Sequence, residues 1–143
     1  MRKKSAFTLV ELLVVAGIFF IILAALTPFM RMVRKDALRV KCAKNIMKIS
    51  LGLHSYAADH DELFPKDLGG LYPKYIDNQS AFDCPASKAV GTPDKPDYEY
   101  RAGLTEVSGA KEVIVQDAEG NHKNFGKNVL RVDGTIEWVK AAR

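Results

Sequence analysis

Two hydrophobic patterns follow one another along the first 58 residues. From Phe7 to Met30 nearly every position is apolar, interrupted only by Thr8, Glu11, Gly17, Thr27 and Pro28. From Leu38 the apolar positions thin to a stripe, with Leu38, Cys42, Ile46, Ile49, Leu53 and Tyr56 at spacings of three and four. The first run is long enough for a helix across a bilayer core of about 30 Å, which needs roughly 20 helical residues. The second predicts a helix with one buried face. Joined, they predict one helix from about Phe7 to Ala58, roughly 75 Å long at 1.5 Å per residue. Arg39, Lys41, Lys44 and Lys48 lie mostly off the stripe. Such a run reads as a solvated face or as inter-subunit ion pairs, with a DNA or headgroup surface as the other reading.

Beyond the stripe the pattern changes period. "AADHDELFP" ends the helix; its His60, Asp59, Asp61 and Glu62, with His54, have no recognised metal-ligand spacing and read as a solvated helix end. Phe64-Pro65 and "LGGLYPKYI" read as loop, with Leu68, Leu71, Tyr72, Tyr75 and Ile76 as anchors, and "SKAVGTPDKPD" as a further loop. "YEYRA", "KEVIVQD", "KNVLRV" and "TIEWV" have strand character. Asp133-Gly134 between the last two signals a hairpin. A two-residue turn there predicts Val129, Ile136 and Trp138 on one face, covering the helix stripe. The fold class expected is α+β, one long helix on a small antiparallel sheet of three to four strands.

Composition narrows the function. The chain has 143 residues, 48% of them hydrophobic, but the apolar supply is concentrated in the first 30, so only a small head is affordable. The net charge is +4; without Arg2, Lys3 and Lys4, 18 basic residues face 17 acidic ones, so the basic balance says little about nucleic acid. Cys42 and Cys84 form no C-x-x-C, which removes support for zinc ribbons, thioredoxin-like redox and haem attachment. If the head is exported they pair, and a Cys42–Cys84 bridge would fix the "FDCPAS" loop to the helix; the other reading is two buried thiols. No G-x-S-x-G, P-loop or H-E-x-x-H occurs, and no Ser, His or Asp is spaced as an activated nucleophile, so no enzyme is expected. "DAEGNH" alternates Asp117, Glu119 and Asn121 like an EF-hand start. His122 stands where Gly is needed and Asn128 where the bidentate Glu should be, so the motif fails as an EF-hand.

The chemistry lies at the start. An ionised carboxylate in hydrocarbon costs roughly 3 kcal/mol on insertion scales, so Glu11 needs an explanation. It either sits near the interface and reaches back to headgroups or Lys4, or it pairs with a cation that appears on assembly. Ser5 and Ala6 precede the apolar run, the reverse of a secretory signal, whose small residues follow it. Cleavage after Ala6 would keep the helix on the mature chain and create such a cation, the α-amine of Phe7. The charges on the two flanks do not settle topology, since Arg31, Arg34, Lys35, Arg39 and Lys41 oppose Arg2, Lys3 and Lys4.

The basic leader, the small residue and "FTLVELLVV" resemble the cleavage and methylation motif of type IV pilins and type II secretion pseudopilins, over Lys3 to roughly Pro28. The family usually has glycine before the cut; this chain has Ala6. "YAADHDELFPKDLGGLYPKYI" is similar to the variable region of the major-pseudopilin type. The resemblance implies a leader 1–6, a transmembrane and polymerisation helix 7–30, an amphipathic half 31–58 and a head 59–143. It implies cleavage between Ala6 and Phe7 by a prepilin peptidase, N-methylation of Phe7, and Glu11 neutralising the Phe7 amine of a neighbour. Pro28 would be a break that lets the helix unwind as a filament forms, with Gly17 a second weak point. The implied location is the inner membrane, single-pass with the N-terminus cytoplasmic and the head periplasmic, followed by a filament. The implied partners are copies of itself, other pilins or pseudopilins, an inner-membrane assembly platform and the lipid bilayer. Some major pseudopilins hold calcium in a head loop, which puts forward Asp117 and Glu119; the competing reading is an acidic turn between strands. No other cofactor is implied. The function expected is a structural subunit of a type II secretion pseudopilus or type IV pilus-like filament, against a membrane-anchored binding module that never polymerises.

Overall fold

The computed structural model describes residues 8–123 and 125–141. Helix α1 runs without interruption over Leu9–Ala58. By contacts the chain forms two compact units, Met1–Asp36 and Ala37–Arg143. Within the first, α1 exposes its apolar side chains all round, and it is long and apolar enough to cross a membrane. A helix that is hydrophobic on every side has no polar face to give to water.

In the second unit the stripe does what its period requires. Cys42, Ile46, Ile49, Leu53 and Ala57 are buried, with Tyr56 packed against them, while Leu38 is half-buried. Gly52 lies on the same stripe, where a Cβ would meet Ile76 Cγ1 at 2.8 Å, so the loop packs directly on helix backbone. The loop anchors behave as expected: Leu68, Leu71 and Ile76 are in the core, Tyr72 and Tyr75 at its edge. Two single-turn 3-10 helices shape that loop, Leu68–Leu71 capped by Asp67 and Gln79–Phe82 capped by Asn78.

The sheet has four antiparallel strands in sequence order: β1 (Tyr98–Tyr100), β2 (Val113–Asp117), β3 (Gly126–Arg131) and β4 (Ile136–Lys140). Two cross-strand rows carry the face that meets α1. Tyr100, Val115, Leu130 and Ile136 form one; Tyr98, Asp117, Asn128 and Trp138 form the other. A bulge between Val113 and Val115 keeps both Ile114 and Val115 buried.

The expected face of the last hairpin needs correction by one residue. Val129 pairs with Glu137, whereas Trp138 pairs with Asn128 and Ile136 with Leu130. The turn is not the two-residue type. Arg131 N–H donates to Thr135 O, so Val132, Asp133 and Gly134 form a three-residue loop. Gly134 has φ +80°, the left-handed residue with which such a loop closes. A one-residue change of register moves every side chain to the other face. Val132 is itself buried, and its N–H donates to Glu112 O.

Candidate functional site

The start of α1 is capped. Glu11 N–H donates to Thr8 Oγ1 at 3.3 Å, so Thr8 stands as N-cap and Glu11 three residues on. The T-x-x-E spacing of a capping box is legible in the sequence. Glu11 is exposed in the first turn, among exposed Leu9, Val10, Leu12 and Leu13. A carboxylate there is favoured by the helix dipole. Ala6 and Phe7, the cleavage and methylation residues expected from the sequence, lie outside the described residues.

Pro28 lies inside α1, which runs on through it in the single subunit. Proline removes the N–H that would have bonded the carbonyl four residues earlier, here Ala24. Thr27 Oγ1 donates to Ala24 O at 2.9 Å and takes up that orphaned acceptor. A neighbouring hydroxyl is the usual means of repair where no water is at hand. Gly17 likewise leaves the helix intact.

The head holds a second constellation. Cys42 on α1 and Cys84 in the loop after the second 3-10 helix form a disulfide, with their Cα atoms 5.3 Å apart. Asn45, one turn along the same helix, adds two bonds to that loop: its Nδ2 donates to Asp83 O at 2.7 Å and Ser80 O at 3.2 Å. Cys84 N–H donates to Asp97 Oδ2 at 3.1 Å, tying the loop to the approach to β1. Beside the disulfide lies Asp117, 1% exposed at the end of β2. Its Oδ2 accepts from Asn128 N at 2.6 Å and Asn128 Nδ2 at 2.8 Å, and lies 3.2 Å from His122 Nε2. Asn128 Nδ2 also reaches Arg39 O at 3.3 Å on α1. Glu119, the other proposed calcium ligand, is exposed, and the two carboxylates do not share a cluster; Asp117 groups instead with Cys42, Cys84 and His122. In the sequence, His122 and Asn128 stand out only as departures from a calcium loop. Asn128 is found by alternation once Leu130 is placed facing α1.

Three of the polar groups at the end of α1, His54, Asp59 and His60, have partners. His54 Nδ1 meets Glu106 Oε1 at 2.5 Å, and His60 stacks on Tyr56 with ring centres 3.8 Å apart. Asp59 accepts from Lys74 and Tyr75; the Lys74 hydrogen bond, more than any other contact, holds its carboxyl below the usual range, and the same bond raises Lys74. Burial pushes the Tyr98 phenol up, where its O–H donates to Asp83 O at 3.3 Å.

Residues 1–27 match the family model described as the prokaryotic N-terminal methylation motif. No curated protein and no solved structure matches the chain significantly. The motif fits the capped apolar helix that begins at Leu9, and the second unit is the later part of that helix with a four-stranded antiparallel sheet. The chain therefore carries the N-terminal signature of type IV pilins and pseudopilins, of the kind processed by prepilin peptidase, on an α+β pilin-like fold.

Proposed function

We propose that the chain is a structural subunit of a filament of the type II secretion pseudopilus or type IV pilus kind. In this reading it is held first in the inner membrane with its head periplasmic. A prepilin peptidase cuts between Ala6 and Phe7, Phe7 is N-methylated, and subunits then polymerise through α1. The role is structural rather than catalytic. The observation that carries the reading is Glu11, an exposed carboxylate in the first turn of a helix whose flanking residues are exposed and apolar. Removal of the leader would create an α-amine four residues away in sequence, and in a neighbouring subunit that amine would give Glu11 a counter-charge that the described residues do not supply. In a low-dielectric filament core the pair would be strongly coupled.

Two measurements test it. Mass spectrometry of the mature chain is expected to give a methylated N-terminus at Phe7; any other start overturns the processing. Glu11→Val is expected to lower the yield of cross-linked filament oligomers by roughly a hundredfold to a few thousandfold, since removing one partner of a buried pair costs about 3–5 kcal/mol. Unchanged oligomers from a correctly processed chain would overturn the role given to Glu11, whereas a processed, unaltered chain that yields no oligomers would favour the anchored module that never polymerises.

A further inference from the structure

Four side chains from separate parts of the head converge beneath the sheet: Cys42 of α1, Cys84 of the loop, Asp117 of β2 and His122 of the β2–β3 connection. One ligating atom from each lies within 4.8 Å of the other three. All are secluded, with Cys42, Cys84 and Asp117 at most 1% exposed and the His122 side chain 5%. Asp117 Oδ1 is buried and has no hydrogen-bond partner among the described residues. An unsatisfied buried carboxylate oxygen is costly, and the neighbouring groups are donors that metals share.

We propose that, when the Cys42–Cys84 bond is reduced, these four side chains hold one divalent cation of the zinc class in a closed tetrahedral site. The same link between α1 and the loop would then exist in two forms, a disulfide and a metal-bridged dithiolate. A dithiol reductant breaks the S–S bond in two exchange steps and leaves as its own disulfide, giving two electrons and two protons to Cys42 and Cys84. Binding the cation releases those two protons to solvent.

The geometry favours this ion. Zinc–ligand distances of about 2.3 Å to sulfur and about 2.0–2.2 Å to nitrogen and oxygen set tetrahedral edges of about 3.6 Å for S–N and about 3.4 Å for N–O. The present separation from Cys84 Sγ to His122 Nε2 is 3.8 Å, and His122 Nε2 lies 3.2 Å from Asp117 Oδ2; with Oδ2 held by Asn128, the Oδ1 of the same carboxylate is the oxygen that would ligate. The edge that must open is the one between the two sulfurs, to about 3.8 Å. Two thiolates, an imidazole and a carboxylate are a borderline-soft set, whereas calcium takes six to eight oxygens. The outer partners also fit. Asn128 holds Asp117 Oδ2 through two N–H groups, and the Trp138 ring stands edge-on to His122 with centres 5.4 Å apart.

The experiment is a metal titration of the full chain in detergent micelles, reduced with a phosphine and compared with the oxidised chain. The reduced chain is expected to bind one Co²⁺, with thiolate-to-cobalt charge-transfer absorption and the strong visible bands of a tetrahedral site. Zn²⁺ should displace the cobalt and raise the thermal unfolding midpoint of the reduced chain; the oxidised chain should show neither effect. His122→Gln and Asp117→Asn should each weaken Zn²⁺ binding by at least about tenfold, the low end of what losing even an outer partner costs. The exposed control Glu119→Gln should not. Absence of stoichiometric cobalt binding, an octahedral spectrum, or unchanged affinity in both variants would overturn the proposal. So would loss of the fold on reduction that Zn²⁺ does not reverse.

Discussion

Tyr100 donates its phenolic proton to Pro65 O at 2.6 Å, joining β1 to the loop that leaves α1. Burial is the main cause of its pKa being pushed up to about 12 from 10.0. The folded state therefore keeps a proton that the unfolded chain releases near pH 10. Stability from this group is complete below pH 10 and is lost as pH rises towards 12. Denaturant midpoints measured across that window should fall, and Tyr100→Phe should flatten the fall while Tyr98, raised in the same sense, leaves part of it. At neutral pH the same substitution should cost about 1 kcal/mol, the ordinary worth of a hydrogen bond whose acceptor stays behind. Such pairings were not legible in the sequence. Nothing in "YEYRA" states which tyrosine meets a carbonyl 35 residues away, and His122 beside Asp117 looked like a failed calcium loop. These contacts depend on how the loops fold back, which periodicity does not encode.

Elements are legible in the sequence because periodicity does encode them. The stripe from Cys42 to Leu53 is the buried face, and all four strands lie where alternating apolar residues put them. Single residues then modify a pattern locally. At Pro28 the helix continues in the single subunit, where Thr27 Oγ1 donates to the Ala24 carbonyl that proline leaves without a backbone donor. Asp133-Gly134 suggested a two-residue turn, but Gly134 closes a three-residue loop, while Asp133 Oδ1 accepts from Thr135 N at 2.9 Å. That bond is the main reason the Asp133 carboxyl lies below its usual range. Gly134→Ala forces an L side chain into the left-handed region and should destabilise the head by about 1–2 kcal/mol. Gly52→Leu should cost about 1–3 kcal/mol by overpacking, because Ile76 already stands within contact of the position its Cβ would occupy. Urea unfolding of each variant, followed by the fluorescence of Trp138, measures both effects; a change under 0.5 kcal/mol would contradict the packing described for Gly52.

At the scale of the whole molecule, the link between Cys42 and Cys84 closes a loop with a sequence separation of 42. The chain-entropy account gives such a closure about 4 kcal/mol. That is a large share of the roughly 5–15 kcal/mol by which domains are stable. Reduction in the presence of a metal chelator should therefore lower unfolding stability by about that amount, read from denaturant midpoints with and without reductant. An unchanged midpoint would mean that Asn45 and the core alone hold the loop. The closure also makes residues 42–84 a covalent ring, with one tail leading to the apolar end of α1 and the other through the sheet. A single peptide cut inside the ring leaves the two tails joined. Tension applied along the first tail enters at Cys42 and can pass across the sulfur bridge to Cys84. Along this covalent path residues 43–83 are bypassed, and the segment beyond Cys84 that leads into the strands comes next.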